Sequence, residues 1–277
     1  MAHKNRNFAK KKEIMPRKPL ILVTNDDGIT APGIRNLIEV MNKLGEVVVV
    51  APESAMSGQG HAITINNTLY CDPVTIDKGP QKEYKSNGTP VDCVKLAMDQ
   101  ILDRKPDLLV SGINHGSNSS INLIYSGTMS AAVEGGIEGI PSIGFSLTTY
   151  KWDADFTAAK HYAELIARKV LDKARSGQLE QPFILNVNIP YLPLDQIKGI
   201  KTARQAKAKW IESYDKRINP QGREYCWLTG EFVNLDDGTD TDEYALQNGY
   251  VSVVPVQLDM TNYRLMKGLK NWLDIEK

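Results

Sequence analysis

The sequence predicts an α/β fold: a doubly wound, mainly parallel sheet followed by a C-terminal elaboration rich in β-hairpins. Three observations carry that expectation. Short continuous apolar runs such as Leu20–Thr24 are of the kind shown by strands buried on both faces. Stretches of helical periodicity separate these runs. After Pro190 the rhythm gives way to turn-forming residues between short, mixed runs.

Leu20–Thr24 is the first strand. Gly33–Leu44 then places Ile34, Leu37, Ile38, Met41 and Leu44 on one helical face, with Gly45 suited to the position past the helix end. Glu46–Val50 is a second buried strand. Thr89 is placed to cap a helix that has Pro90 in its first position and runs through Leu102. Leu108–Ser111 reads as a strand, Ser126–Glu138 as a helix and Ile140–Ser146 as a strand again. A longer helix covers about Asp155–Ala174, and Phe183–Ile189 is the next strand. Strand alternating with helix at this spacing predicts a parallel sheet covered on both faces. Between 191 and 248, Asn219-Pro220, Gly222 and Asp236-Asp237-Gly238 punctuate runs that suggest hairpins. Tyr250–Leu258 returns to a strand pattern and Tyr263–Leu273 is a short amphipathic helix. No repeat or low-complexity linker interrupts the chain. Residues 19–277 are expected to form one domain: a core over about 19–190, a β-rich part over about 191–260 and a helix over about 262–273.

Composition narrows the function classes. With 277 residues, 42% hydrophobic and 24% charged, the chain is expected to be an ordinary soluble globular protein. Its 33 basic and 33 acidic residues cancel, so no global charge points to a nucleic-acid polymer or a membrane surface. Cys71, Cys93 and Cys226 are too few and too scattered for a disulfide framework or a zinc knuckle. The apolar runs are far shorter than the roughly 20 residues of a membrane span. Residues 1–18 form a basic arm carrying Lys4, Arg6, Lys10, Lys11, Lys12, Arg17 and Lys18 against Glu13 alone. It lacks the apolar stretch of a secretory signal, so a cytoplasmic location is expected. The arm reads either as a contact for an acidic partner or as a frayed, solubilising terminus.

Four segments could carry chemistry. Thr24-Asn25-Asp26-Asp27-Gly28 leaves the first strand at its carboxyl end, where ligands bind in open α/β sheets. Two adjacent carboxylates repel, and a hard divalent cation is a reason to hold both; a plain Asp-Gly turn is the competing reading. The loop Ala51–His61 leaves the second strand. Its Ser57 hydroxyl and glycine backbone could face an ion or a phosphate, while His61 reads as a surface loop histidine. Gly58-Gln59-Gly60 lacks the third glycine of a dinucleotide fingerprint. Ser111-Gly112-Ile113-Asn114-His115-Gly116-Ser117-Asn118 follows another strand, and Asn114 can offer a neutral carbonyl oxygen to a hard cation or simply build a turn. Three oxygen-rich loops on one edge of the sheet favour a metal site. Finally, Tyr125-Ser126-Gly127-Thr128 opens a helix whose free N–H groups and dipole suit an anion, phosphate above all; ordinary capping by Ser126 is the alternative. A divalent ion facing such a nest supports phosphoryl chemistry. No Walker A sequence, zinc-ligand spacing or Gly-x-Ser-x-Gly elbow is present, so kinase, zinc hydrolase and esterase readings lose their main support. Asp240 and Asp242, in a Thr-rich setting, read as a turn that caps the next segment. Lys95, Glu134 and Glu138 read as solvated or dipole-matched helix residues.

Taken together these motifs resemble the stationary-phase survival protein SurE family, a family of metal-dependent 5′/3′-nucleotidases. The resemblance rests on Asn25-Asp26-Asp27-Gly28 with Ala31-Pro32-Gly33, Ala51-Pro52 leading to Ser57-Gly58, Ser111-Gly112-Ile113-Asn114 and Tyr125-Ser126-Gly127-Thr128. Supporting blocks are Asn87-Gly88-Thr89-Pro90 with Asp92-Cys93, Asn186-Val187-Asn188, Thr239-Asp240-Thr241-Asp242 and Gly249-Tyr250-Val251-Ser252, all in the family's order over about residues 20–260. The resemblance implies a Rossmann-like core with a C-terminal hairpin region used in dimer and tetramer contacts. It also implies one divalent metal cation per subunit (Mg²⁺ or Mn²⁺) on Asp26, Asp27, Ser57 and Asn114. Asp26 and Asp27 are the implied catalytic residues. Asn25, Asn114, Ser126, Gly127 and Thr128 are the implied substrate and phosphate contacts. The implied reaction removes phosphate from nucleoside 5′- and 3′-monophosphates. One departure stands out: the family carries a glycine and an acidic residue in the stretch where this chain has Ser119-Ser120-Ile121-Asn122, which bears on the pocket's charge and substrate preference. Asp26 is implied in more than ligation, with a general base and an aspartyl-phosphate nucleophile both open. The rival readings are a polyphosphate or general phosphomonoesterase, and a nucleotide sensor without turnover.

Overall fold

A computed structural model of the chain describes residues 17–274. The basic arm therefore lies outside the described residues except for Arg17 and Lys18, both exposed.

Nine strands form one sheet in the order β3-β4-β2-β1-β5-β6-β7-β11-β8. Its centre is β1 (Leu20–Thr24), β2 (Glu46–Pro52), β5 (Leu108–His115), β6 (Ser142–Leu147) and β7 (Ile184–Ile189), with β4 (Lys82–Ser86) beside β2; all neighbours in this group are parallel. At the edges, β3 (Cys71–Val74) runs antiparallel to β4 and β11 (Val251–Val256) antiparallel to β7, while β8 (Ile200–Thr202) pairs parallel with β11. Register follows from burial: Ile21 lies opposite both Val47 and Leu108.

Alternation along each strand divides the core between two helical layers. Ile21 and Val23 of β1, Val47 and Val49 of β2, and Leu108 and Val110 of β5 face α1 (Pro32–Met41) and α5 (Thr157–Arg175). Leu20, Leu22, Val48, Val50 and Leu109 face the other way, onto α2 (Pro90–Leu96) and α4 (Gly127–Ile137). This is the doubly wound arrangement expected. The chain winds outward from β1 through β2 to β4, then returns across the sheet to place β5 on the opposite side of β1. The order reverses between β1 and β5, and the crevice at their carboxyl ends is where such sheets bind ligands.

Beyond the sheet lie the short α3 (Asn122–Tyr125) and α6 (Asp242–Gln247), the C-terminal α7 (Tyr263–Leu273), and a separate antiparallel hairpin of β9 (Ala208–Ile218) and β10 (Glu224–Asn234). The hairpin is the β-rich elaboration expected after Pro190. Three differences from expectation have simple causes. The strand read as Leu108–Ser111 runs on to His115, because an irregularity between Ser111 and Asn114 lets pairing with β6 resume at Asn114–Ser146. β3, β4 and β8 were not anticipated; they are short and rich in polar residues, β3 and β8 as the two edge strands and β4 next to the edge. The helix expected through Leu102 ends at Leu96 and continues as a π turn over Ala97–Ile101. Thr89 caps it as expected, in a reciprocal capping box with Asp92. The three cysteines are free thiols.

Candidate functional site

The turn after β1 is braced before it is charged. Asn25 is buried, and its Nδ2 donates to Gly28 O at 2.9 Å across the turn, leaving the buried Oδ1 without a hydrogen-bond partner. Gly28 adopts φ +98°, a left-handed conformation that an L side chain resists. Asp26 is 4% exposed. Thr128 Oγ1 hydrogen-bonds Asp26 Oδ1, and Gly127 lies so close that a Cβ there would stand 2.7 Å from Asp26 Cβ. Burial, opposed by the Thr128 hydrogen bond and reinforced by the neighbouring Asp27 charge, pushes the Asp26 carboxyl up to about 6. Asp27 is held differently: its Oδ2 accepts from the backbone N–H of His115 at 3.1 Å and lies 3.0 Å from His115 Nδ1. His115 in turn stacks on Trp152, ring centroids 5.1 Å apart, and meets Phe156 edge-on.

The Ser57 loop is pinned around its exposed tip. Met56 N donates to Asp26 O at 2.7 Å, and Gly60 N to Tyr125 O at 3.1 Å. His61 Nε2 lies 2.9 Å from Glu134 Oε2, and Lys95 pairs with the other oxygen of that carboxylate. Glu134 thus corrects the reading of it as solvated: it is 2% exposed and ties the loop to α4 and α2. The His61 hydrogen bond, with the Lys95 pairing beside it, holds Glu134 below the usual carboxylate range. A depressed folded value means a contribution that is whole above the ordinary value of 4.5 and drains away as pH falls through the folded one. Glu134→Gln is expected to lower stability by about 2 kcal/mol at pH 7, since hydrogen bonds to charged groups contribute about 1.5–3. Urea titrations of both proteins check this; a gap that persists unchanged to pH 3 would show that the charge is not what matters.

The third loop and the helix start complete the site. Asn114 is half-buried and its Nδ2 donates to Gly116 O, which frees Oδ1 as an acceptor. Behind it Asn118, Asn186, Asn188 and Ser146 form a buried ladder that fixes the loop: Asn118 N donates to Asn188 Oδ1, Asn118 Nδ2 to Ser146 Oγ and Asn186 Nδ2 to Asn118 O, each at 2.8 Å. Ser126 caps α4, its Oγ accepting from Met129 N at 3.0 Å. Capping and anion binding are compatible here, because Ser126 keeps its own proton to donate. Thr128 is fully buried with its hydroxyl on Asp26. Ser120 stands at φ +54°, a conformation that favours glycine, and its N–H donates to Asp242 Oδ2 at 2.7 Å. Asn122 accepts from Trp210 Nε1 at 2.8 Å. Asp240 pairs with Arg204, and Thr241 caps α6, so the second carboxylate pair is structural as expected.

Asp26, Asp27, Ser57, Asn114 and Ser126 line one cavity of about 500 Å³. The carboxylates keep one oxygen each beyond those engaged by Thr128 and His115. Among the described residues no group of three His, Cys, Asp or Glu side chains is placed to hold a metal ion. The donor set is therefore two carboxylates with neutral oxygens, which suits a hard divalent cation and not a soft one. Sequence reasoning did not single out His115, Tyr150, Trp152 or Trp210, all of which line this cavity. Tyr150 and Trp152 follow the carboxyl end of β6, so the strand-end rule that selected the other loops would have selected theirs; Trp210 arrives from the hairpin and leaves no local signal.

Comparison with known proteins adds to this geometry. The family profile described as Survival protein SurE matches residues 21–212. The chain is 63% identical to the 5′-nucleotidase SurE of Christiangramia forsetii, over 92% of this chain and 97% of that protein. It is 62% identical to the 5′-nucleotidase SurE of Flavobacterium psychrophilum, over 94% and 99%. The crystal structure of a SurE protein from Aquifex aeolicus superposes with a TM-score of 0.77 at 42% identity, covering 92% of this chain and all of that one.

Proposed function

The chain belongs to the survival protein SurE family, and from that premise we propose that it is a divalent-metal-dependent hydrolase releasing phosphate from nucleoside 5′- and 3′-monophosphates. The observation that carries this reading is the juxtaposition of Asp26 and Asp27 with Ser57 and Asn114 in one cavity, beside a helix N-terminus at the point where the strand order reverses. Asp26, Asp27, Ser57 and Asn114 would hold one Mg²⁺ or Mn²⁺, which when bound supplies Lewis-acid charge at the phosphate. The N–H groups opening α4 at Gly127 and the Ser126 hydroxyl bind the non-bridging phosphate oxygens. Asn25 acts by bracing the turn, and Thr128 by fixing Asp26 Oδ1. Asp26 orients the water that attacks phosphorus in line; the P–O bond to the sugar breaks and the nucleoside leaves with a proton. A phosphorylated Asp26 found by mass spectrometry after quenching would replace the water step with a covalent one.

The test is phosphate release from 5′- and 3′-nucleoside monophosphates and short polyphosphate, each with Mn²⁺, Mg²⁺ or EDTA. Metal-dependent release from the nucleotides is expected. Silence with retained nucleotide binding would hand the site to a sensor, and release from polyphosphate alone to a polyphosphatase.

The same reading makes the chain one domain and a homodimer or homotetramer. Two strands alone are marginal in water, and β9–β10 exposes Ile211, Tyr214, Ile218, Trp227 and Leu228. Light scattering should give a multiple of 30.8 kDa; a monomer at micromolar concentration would sink this part. No helix among the described residues is long and apolar enough to cross a membrane. A cytoplasmic location belongs to the same proposal.

A further inference from the structure

We propose that Tyr150 and Trp152, on the loop between β6 and α5, form the stacking surface for the nucleobase of the substrate. The inference rests on the nucleotidase reading and extends it to recognition of the nucleoside. Both side chains line the cavity that holds Asp26, Asp27 and Asn114, yet Tyr150 is 79% and Trp152 59% exposed. Aromatic rings left bare at the mouth of a charged site are surfaces for a ligand rather than core.

Their placement is fixed. The Trp152 indole stacks on His115 at 5.1 Å and 15° between planes, and His115 bonds Asp27, so the ring is held in register with a carboxylate of the reacting centre. The Tyr150 ring lies against Gly116, where a Cβ would stand 2.4 Å from Tyr150 Cε1. Every base presents a π-face to such a surface, and base–aromatic stacking contributes about 1–3 kcal/mol. A substrate that carries phosphate without a flat ring, such as a pentose phosphate or polyphosphate, forfeits this contact.

The experiment compares kcat and KM for AMP, GMP, CMP, UMP and ribose 5-phosphate with Mn²⁺, in the wild-type protein and in Trp152→Leu, Trp152→Phe and Tyr150→Leu. The kcat/KM ratio of AMP to ribose 5-phosphate is expected to fall about tenfold in Trp152→Leu, chiefly through KM, and to recover in Trp152→Phe. An unchanged ratio would overturn the proposal. If the wild type hydrolysed no nucleotide, the nucleotidase reading would fall by itself. The stacking surface would then be judged by quenching of tryptophan fluorescence with AMP: a quench lost in Trp152→Leu sustains it, and no quench in the wild type refutes it.

Discussion

Asp27→Asn is expected to lower metal-dependent phosphate release from AMP by at least about a thousandfold while leaving the fold intact. The side chain is only partly buried and its neighbours are donors: the His115 backbone N–H at 3.1 Å and Nδ1 at 3.0 Å both meet Oδ2. An asparagine keeps the shape and can still accept from His115 through Oδ1. What it loses is the charge, and with it one of the two anionic ligands that a hard cation can find in this cavity. Lewis-acid stabilisation of a phosphoryl transition state amounts to several kcal/mol, and each 1.36 kcal/mol is tenfold in rate. Two readouts separate the causes: phosphate release over a Mn²⁺ titration, and Mn²⁺ binding by electron paramagnetic resonance. A variant within tenfold of wild type that binds Mn²⁺ equally well would remove Asp27 from the ligand set.

Much of this was legible in the sequence, for reasons that name the exceptions. β1 is read with its observed bounds because four consecutive buried apolar residues, closed by the buried Thr24, leave no other period. Gly33–Leu44 buries Ile34, Leu37, Ile38 and Met41 as its periodicity requires, though the helix ends at Met41. Asp26, Asp27, Ser57 and Asn114 reach one cavity because each follows or ends a parallel strand, and strand ends are a topological fact that survives the loss of side-chain detail. The roles that pairing across the fold decides were not legible. Glu134 looks like any helix carboxylate until His61, 73 residues away, meets it. Thr128 reads as a phosphate donor in isolation, but its hydroxyl meets Asp26, 102 positions away in the chain. β5 reads as a strand only to Ser111, and pairing resumes beyond it through the register of β6.

Asp242→Ala is expected to cost about 4 kcal/mol of stability, the largest loss anticipated for any polar residue outside the candidate site. Asp242 is fully buried and accepts three backbone N–H groups: Ser120 at 2.7 Å on Oδ2, and Ala206 and Glu243 at 2.9 Å on Oδ1. Alanine would leave all three without an acceptor, and each buried orphan donor costs about 1–3 kcal/mol, lessened where water can enter. The consequences reach the site, since this carboxylate ties together two segments far apart in the chain. Ser120 is held in a left-handed conformation beside Asn122, and Ala206 leads into β9, which carries Trp210 to Asn122. Asp242→Asn is expected to lose about half as much, because an amide nitrogen in place of Oδ2 cannot accept the Ser120 N–H while Oδ1 still accepts those of Ala206 and Glu243. Urea denaturation at pH 7 measures both, and a loss below about 1 kcal/mol for alanine would mean that water replaces the carboxylate at no cost. If instead the full loss appears with AMP turnover falling in step, the cavity wall at Ser119–Asn122 owes its shape to α6, and the chain's departure from the family pattern there is compensated by a contact from more than a hundred residues away.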